Sequence, residues 1–399
     1  MNIFRKIYCR AYQGVMKIAL KAMKYREPEI LEYTLEVPKV LKEAGVDKPL
    51  IITCASIVEL KLMKSLTRAL KDNAIKYEVF DQVKPNTESS IVEDAFKFYQ
   101  EHKCGGIIAF GGGSVIDCGK AVLARVANPE KPLNKMKGLL KVKGEFPLLI
   151  AVPTTAGTGS ETSPSAVIID SDTRHKYIIN DFDLTPKYAV LDAEVTLTLP
   201  PYMTATTGMD ALTHAVEAYV GRATTEQSRK WAKDAVRLIM DNLPRVMEDG
   251  NNERARAQML KAANLAGLAF SRSFVGYVHA VSHTLSGKYN TPHGEANAVI
   301  LPYVLAEYGK GIYPKLRELA VYSEVARSYD SEEVAANKFI NKIIEFNERF
   351  GIPKTFDFIK TEDIPELAKT ADKEANPLYP VPKLMNAKEL EKIYYKIKS

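Results

Sequence analysis

The strongest constraint on this 399-residue chain is a change of texture at Leu199-Pro-Pro201. Before it, short β-branched runs alternate with helical patterns: Pro49-Leu-Ile-Ile-Thr53, Tyr77-Glu-Val-Phe80, Gly106-Ile-Ile-Ala-Phe110 and Leu148-Leu-Ile-Ala-Val152, with helices expected near 58–73, 88–102 and 115–126. Such alternation predicts a parallel sheet covered on both faces. Ala166-Val-Ile-Ile169 and Lys176-Tyr-Ile-Ile179 read as a hairpin, and Tyr188-Ala-Val-Leu191 as a further strand. After the prolines, apolar residues recur at helical spacing over 204–220, 225–240, 253–271 and 335–350, so the second half reads as all-helical. The expected division is a basic N-terminal extension (1–27), an α/β dinucleotide-binding domain (28–198) and a helical domain (199–399).

Charge is unevenly placed. Residues 1–26 hold seven basic residues and no acidic one, leaving 48 basic against 49 acidic residues beyond. A neutral body without an aromatic-basic stripe argues against nucleic-acid binding. Residues 4–23 read as an amphipathic helix packing on the body or a neighbouring subunit, with membrane-surface association as the alternative. No run is long enough for a signal peptide or a membrane span. The four cysteines, Cys9, Cys54, Cys104 and Cys118, form no CxxC pair. They suggest a reducing cytoplasm.

Two polar loops follow strands. Gly111-Gly-Gly-Ser-Val-Ile-Asp117 leaves a buried strand and opens a helix, where glycines allow close backbone approach and free N–H groups can meet a pyrophosphate. It is neither GxGxxG nor a Walker loop, and a plain strand-to-helix turn is the competing reading. Pro153-Thr-Thr-Ala-Gly-Thr-Gly-Ser-Glu161 lies at the carboxyl end of another parallel strand, the usual ligand edge of open sheets. Two such loops together point to nucleotide binding.

The helical half carries four of the six histidines. Asp210-Ala-Leu-Thr-His214 puts a carboxylate and an imidazole on one helix face. His279 and His283 can share another face, and His293 is expected in the loop Tyr289-Asn-Thr-Pro-His-Gly294. A lone histidine is most often a hydrogen-bonded core residue, but this grouping predicts a metal site. His102 and His175 show no partner in sequence and read as surface residues.

At this point the chain resembles the iron-containing (group III) alcohol dehydrogenases over roughly residues 28–395. The motifs that carry the resemblance are Gly111-Gly-Gly-Ser with Asp117, Pro153-Thr-Thr-Ala-Gly-Thr158, Thr207-Gly-Met-Asp-Ala-Leu-Thr-His-Ala-Val-Glu-Ala-Tyr219, Val278-His-Ala-Val-Ser-His283 and Asn290-Thr-Pro-His-Gly-Glu-Ala-Asn297. The resemblance implies a dehydroquinate synthase-like fold: an N-terminal dinucleotide domain, an all-α metal-binding domain and an active site in the cleft between them. It implies that Asp210, His214, His279 and His293 bind the metal and that His283 lies near nicotinamide and substrate. Gly111, Gly112, Gly113, Ser114, Asp117, Thr154, Thr155 and Thr158 would hold the cofactor, with Asn86 and Lys176 as further contacts and Phe270 lining the pocket. Arg272 and Lys288 depart from the family pattern and could alter the pocket or a subunit contact.

The expected activity is reversible hydride transfer between a primary or small alcohol and NAD(P). Three imidazoles and a carboxylate leave a divalent ion with net positive charge, able to stabilise an alkoxide. His283 is the candidate proton relay, or else a residue that only orients the site. The resemblance leans to Fe(II) over Zn(II), although imidazole-rich sites accept several metals. A zinc-dependent polyol dehydrogenase is the alternative, and a carbon-oxygen lyase or a non-catalytic scaffold are more distant rivals. Cys54 stands where many family members carry an Asp that would repel a 2′-phosphate, so NADP(H) is expected to be accepted and to be preferred over NAD(H), with dual use as the alternative because no obvious Arg follows Cys54, unless Asp81 enforces NAD. A homodimer or larger homo-oligomer is expected.

Overall fold

The computed structural model describes residues 1–22, 25–173 and 175–399. Its backbone separates into two compact units, Tyr25–Leu199 and a helical unit that joins helix α1 (Ile3–Ala22) to Pro200–Ser399.

Among the described residues the first unit holds nine strands: β1 (Glu29–Leu31), β2 (Pro49–Ile52), β3 (Glu78–Phe80), β4 (Gly106–Gly111), β5 (Gly138–Leu139), β6 (Leu148–Pro153), β7 (Ser165–Ile169), β8 (Lys176–Asn180) and β9 (Tyr188–Val190). Six form a sheet in the order β1-β9-β6-β4-β2-β3, every pairing parallel. The pleat sends alternate residues to opposite faces. Leu50, Ile52, Ile107 and Ala109 enter one core, while Ile51, Ile108, Phe110 and Ile150 enter the other. Burial on both faces accounts for the continuous apolar runs in the sequence. The expected hairpin is present as the antiparallel pair β7 and β8, which with β5 makes a separate three-stranded sheet.

Some elements differ from the sequence expectation. The helix expected over 58–73 is two helices, Ala55–Glu59 and Lys64–Asp72, because Lys61 takes a left-handed φ of 56° between them. The three-residue β1 and two-residue β5 lack the length that makes a strand visible as a pattern.

In the helical unit, Pro201–Val220 is buried on nearly every side and runs through the core. Pro201 occupies its first turn, where the missing N–H has no intrahelical partner in any case. Gly208 lets Glu226–Glu248 approach: a Cβ there would lie 2.7 Å from Leu243 Cδ1. Glu253–Ser273 and His293–Tyr308 pack against this helix, and Tyr277–Tyr289 packs on His293–Tyr308. The helix at Glu226 continues through Pro244 to Glu248, eight residues past the predicted end, since packing outweighs the lost hydrogen bond. Among the described residues no helix is long and apolar enough to cross a membrane.

Helix α1 packs on the body, but not through the face its amphipathicity suggests. Buried Cys9 and Gln13 face inward. Arg5 pairs with both oxygens of Asp372 at 2.8 and 2.7 Å, Arg10 donates to Val381 O and Pro382 O, and Gln13 to Tyr379 O. Ile3, Phe4, Ile7, Tyr8, Val15 and Ile18 are exposed. Met23, the expected end of the helix, lies outside the described residues.

Candidate metal centre and cofactor loops

Asp210 and His214 project one turn apart from the Pro201–Val220 helix, and His279 projects from Tyr277–Tyr289. His293 is not in a loop. It is the first residue of the His293–Tyr308 helix, directly after Pro292, so its backbone is fixed by helical geometry. Gly294 seats that helix against the core helix, since a Cβ would meet Thr206 O at 2.5 Å.

These elements bring one donor atom from each of Asp210, His214, His279 and His293 to within 4.8 Å of one another, with all but His293 buried. His293 Nε2 lies 3.7 Å from Asp210 Oδ1, and His214 Nδ1 lies 3.9 Å from it. The Asn297 amide nitrogen reaches three of the four residues, at 2.7 Å from Asp210 Oδ1, 3.2 Å from His279 Nε2 and 3.1 Å from His293 Nε2. It holds partial positive charge among converging acceptors, which is the requirement a dication would meet more strongly. One carboxylate and three imidazoles suit a borderline divalent metal. The residues fit such an ion.

A second layer orients these donors. Glu217, on the same helix as Asp210 and His214, accepts from Gly276 N at 2.8 Å and Val278 N at 2.8 Å, and lies 2.7 Å from His279 Nδ1. Burial pushes its carboxyl up to about 7 against the pull of these donors. Burial, then the neighbouring imidazoles, pushes His279 well below the ordinary histidine value, so the ring is neutral and able to ligate. Phe270 stacks on His214 with ring centroids 4.4 Å apart.

His283 stands beside the cluster, not in it. Its ring stacks on His293 at 5.3 Å, and its Nδ1 lies 2.7 Å from Glu374 Oε1, which also accepts from the Tyr379 hydroxyl at 2.8 Å. Burial alone would raise the Glu374 carboxyl, but His283 and the two hydrogen bonds outweigh it and hold it below the usual value. Arg272 stacks over Trp231 at 4.9 Å, and Lys288 pairs with Asp363 at 3.1 Å.

In the other unit the two polar loops are neighbours, because β4 pairs with β6 and brings Gly111 opposite Pro153. Thr154 N donates to Gly111 O. None of the three glycines has a positive φ. They are needed for contact: a Cβ on Gly111 would lie 2.6 Å from Val115 Cγ2, and one on Gly113 2.8 Å from Thr158 Cγ2. Gly112 caps the Gly113–Ala127 helix, so its first N–H groups open beside Thr155 and Thr158. Asn86 N donates to Ser114 Oγ at 3.2 Å, joining two expected cofactor contacts. Cys54 lies two residues beyond β2, as the N-cap of Ala55–Glu59, and bridges to Gln82 next to Asp81.

Asp117 is tied into the protein itself, accepting from Ser160 Oγ at 2.6 Å and Val167 N at 3.0 Å. Burial raises its carboxyl, while Lys120 and these donors oppose the rise. Lys176 is exposed at the start of β8, near enough to add its charge to that balance. Sequence reasoning missed Lys120, which is fully buried and donates to Ser160 Oγ, Ser163 Oγ and Ser165 O. It also missed the orienting roles of Glu217, Asn297 and Glu374. Glu217 was within reach, because positions 210, 214 and 217 share a helix face. His102 is not partnerless: it stacks on Phe98 at 4.0 Å and lies 3.4 Å from Glu78 Oε1, while His175 is exposed.

Known protein families carry the same pattern. The family model for iron-containing alcohol dehydrogenase matches residues 32–193, and the model for the Fe-containing alcohol dehydrogenase family, C-terminal, matches residues 204–398. The chain belongs to the iron-containing alcohol dehydrogenase family. It is 36% identical over 359 residues to a 1,3-propanediol dehydrogenase of Citrobacter freundii, covering 88% of this chain and 92% of that one. An NAD-dependent methanol dehydrogenase of Bacillus methanolicus is 33% identical over 341 residues, covering 84% and 88%. The crystal structure of a 1,3-propanediol oxidoreductase superposes with a TM-score of 0.90 at 32% identity, covering 94% of this chain and 99% of that one.

The protein is thus a metal-dependent alcohol dehydrogenase, an oxidoreductase that acts on alcohols with NAD. A zinc polyol dehydrogenase is not favoured, since both family models are those of the iron-containing enzymes. The lyase and scaffold alternatives give way to the same match.

Proposed function

We propose that Asp210, His214, His279 and His293 hold Fe(II) and that the enzyme interconverts short primary alcohols or terminal diols with their aldehydes. The four-donor cluster carries this reading. The substrate class draws on relatives described as acting on 1,3-propanediol and methanol. When bound, the ion supplies Lewis acidity to the alcohol oxygen and the nicotinamide a hydride acceptor.

The chain's own residues supply orientation and proton handling. Glu217 accepts the His279 Nδ1 proton and so leaves Nε2 free to ligate. Glu374 does the same for His283, and Nε2 of that ring becomes the atom that takes or returns the substrate proton. Phe270 provides an apolar wall on His214. Thr155, Thr158, Ser114 and the N–H groups at Gly113 receive the cofactor's pyrophosphate. NADP(H) is accepted beside NAD(H), because Cys54 brings no charge against a 2′-phosphate. The same reading takes the enzyme to work as a homo-oligomer in a reducing cytoplasm, where the four free cysteines persist.

Turnover under anaerobic conditions tests the assignment. The iron-loaded and zinc-loaded enzymes are each given 1,3-propanediol, methanol and glycerol with either nucleotide. Highest kcat/KM with iron and a short primary alcohol or terminal diol is expected. Preference for zinc and glycerol would overturn it.

A further inference from the structure

Helix α1 lies outside both regions that match the family models, and it is docked with its polar side inward. What it leaves outward is a continuous apolar stripe. Phe4, Ile7, Tyr8, Ala11, Gly14, Val15 and Ile18 recur every three or four residues and share one face. Phe4 is 80% exposed, Val15 67% and Ile18 73%. Nothing lies within 4 Å of where a Gly14 Cβ would stand. An exposed face of this kind on a soluble domain marks a docking surface.

The charges that the helix itself carries beside the stripe have a single sign. Lys6, Arg10 and Lys17 follow one edge of it, Arg10 and Lys17 also donating to body carbonyls at Val381, Pro382 and Arg222, and no acidic residue occurs anywhere in the helix. Next to that edge lies a cavity of about 700 Å³, lined in part by Lys6, Arg10, Lys383 and Glu389. Lys383, from the body, is paired with Glu307 at 3.1 Å, and the carboxylate of Glu389 with the Met1 ammonium at 3.3 Å. Arg5, Arg10 and Gln13 fix the helix on the body, so the stripe is held outward by a set of specific hydrogen bonds.

We infer that α1 seats the enzyme on an anionic phospholipid surface, with the Phe4-Ile7-Val15-Ile18 face in the interfacial layer and Lys6 and its neighbours at the phosphates. A helix of low net hydrophobicity with an apolar face and a cationic flank has the chemistry for this position. A second copy of the chain fits less well. A stripe about 21 Å long and 10 Å wide offers roughly 200 Å², against the ~800 Å² per partner of a stable interface. Paired helices also need opposite charges beside their seam, and here both would bring only cations.

Flotation of the full-length, iron-loaded enzyme with vesicles tests this. The enzyme is expected to float with phosphatidylcholine–phosphatidylglycerol vesicles, to stay behind with phosphatidylcholine alone, and to be released by salt. Ile7→Asp and Ile18→Asp should each abolish flotation with alcohol turnover unchanged, and Lys6→Ala should weaken it about fivefold. Absence of flotation with the anionic vesicles, or flotation unaffected by Ile7→Asp, overturns the inference. So does a fall in solution mass of Ile7→Asp by light scattering without vesicle binding by the parent, which would make the stripe a contact between copies.

Discussion

Glu374 holds His283 through its ring, its Oε1 lying 2.7 Å from the ring Nδ1. The Tyr379 hydroxyl fixes that oxygen in turn. A carboxylate in this place keeps the proton on Nδ1 and leaves Nε2 unprotonated. His283→Ala should therefore keep its metal and lose turnover by about 10²-fold or more. Glu374→Gln, which no longer prefers one tautomer, should lose about tenfold in kcat with little change in KM, and Glu374→Asp should recover part of it. Metal lost from His283→Ala in elemental analysis would make the residue a ligand instead.

Removal of a donor acts differently. His279→Ala and His293→Ala are expected to abolish both metal retention and activity while circular dichroism stays near that of the parent. Unchanged metal content in both variants would contradict the donor assignment.

Glu217 separates orientation from ligation. Glu217→Gln should bind metal 10- to 100-fold more weakly with all four donors intact. Glu217→Ala should also lose about 3 kcal/mol of stability, since the buried Gly276 and Val278 N–H groups lose their acceptor. Metal titration and denaturant unfolding measure the two effects apart.

Cofactor choice turns on Cys54 if its missing charge matters. Cys54→Asp should shift the ratio of kcat/KM values towards NAD, because a carboxylate there would repel a 2′-phosphate. An unaltered ratio would move attention to Asp81, which lies beside Cys54 across the β2–β3 pairing.

Lys120 predicts an alkaline signature. Burial pulls its amine down to about 8 from 10.5, so in that range the unfolded chain binds more protons than the folded one. Stability from this group therefore rises as pH climbs from about 8 to 10.5, by about 3 kcal/mol at most, and the full cost is present below pH 8. Unfolding of Lys120→Met across this range should lack that rise. If parent and variant show the same slope, Lys120 is not titrating as its burial requires.

The sheet was legible because β2, β4 and β6 are buried on both faces and leave uninterrupted apolar runs. The donor set was legible because Asp210 and His214 share a helical turn and histidines are scarce in the rest of the chain. His293 was misplaced because Pro292 and Gly294 read as loop punctuation, whereas a proline is equally at home before a helix and this glycine serves close packing. Glu374 could not be found from sequence, since it lies 91 residues from His283 and meets it only through folding. The orientation of α1 was also hidden: amphipathicity gives two faces and does not say which one the body offers partners to.

The docking of α1 also sets an order of events during synthesis. Arg5 is 367 residues from Asp372, and Arg10 is 371 residues from Val381. The ribosome must therefore make almost the whole intervening chain before the helix has anywhere to sit, a wait on the order of tens of seconds. Through that interval both of its faces are bare, the one that will be covered and the one that will not. A nascent chain of this kind would offer a chaperone, or another nascent copy, its longest-lived sticky segment in α1 rather than in the slow-pairing parallel sheet.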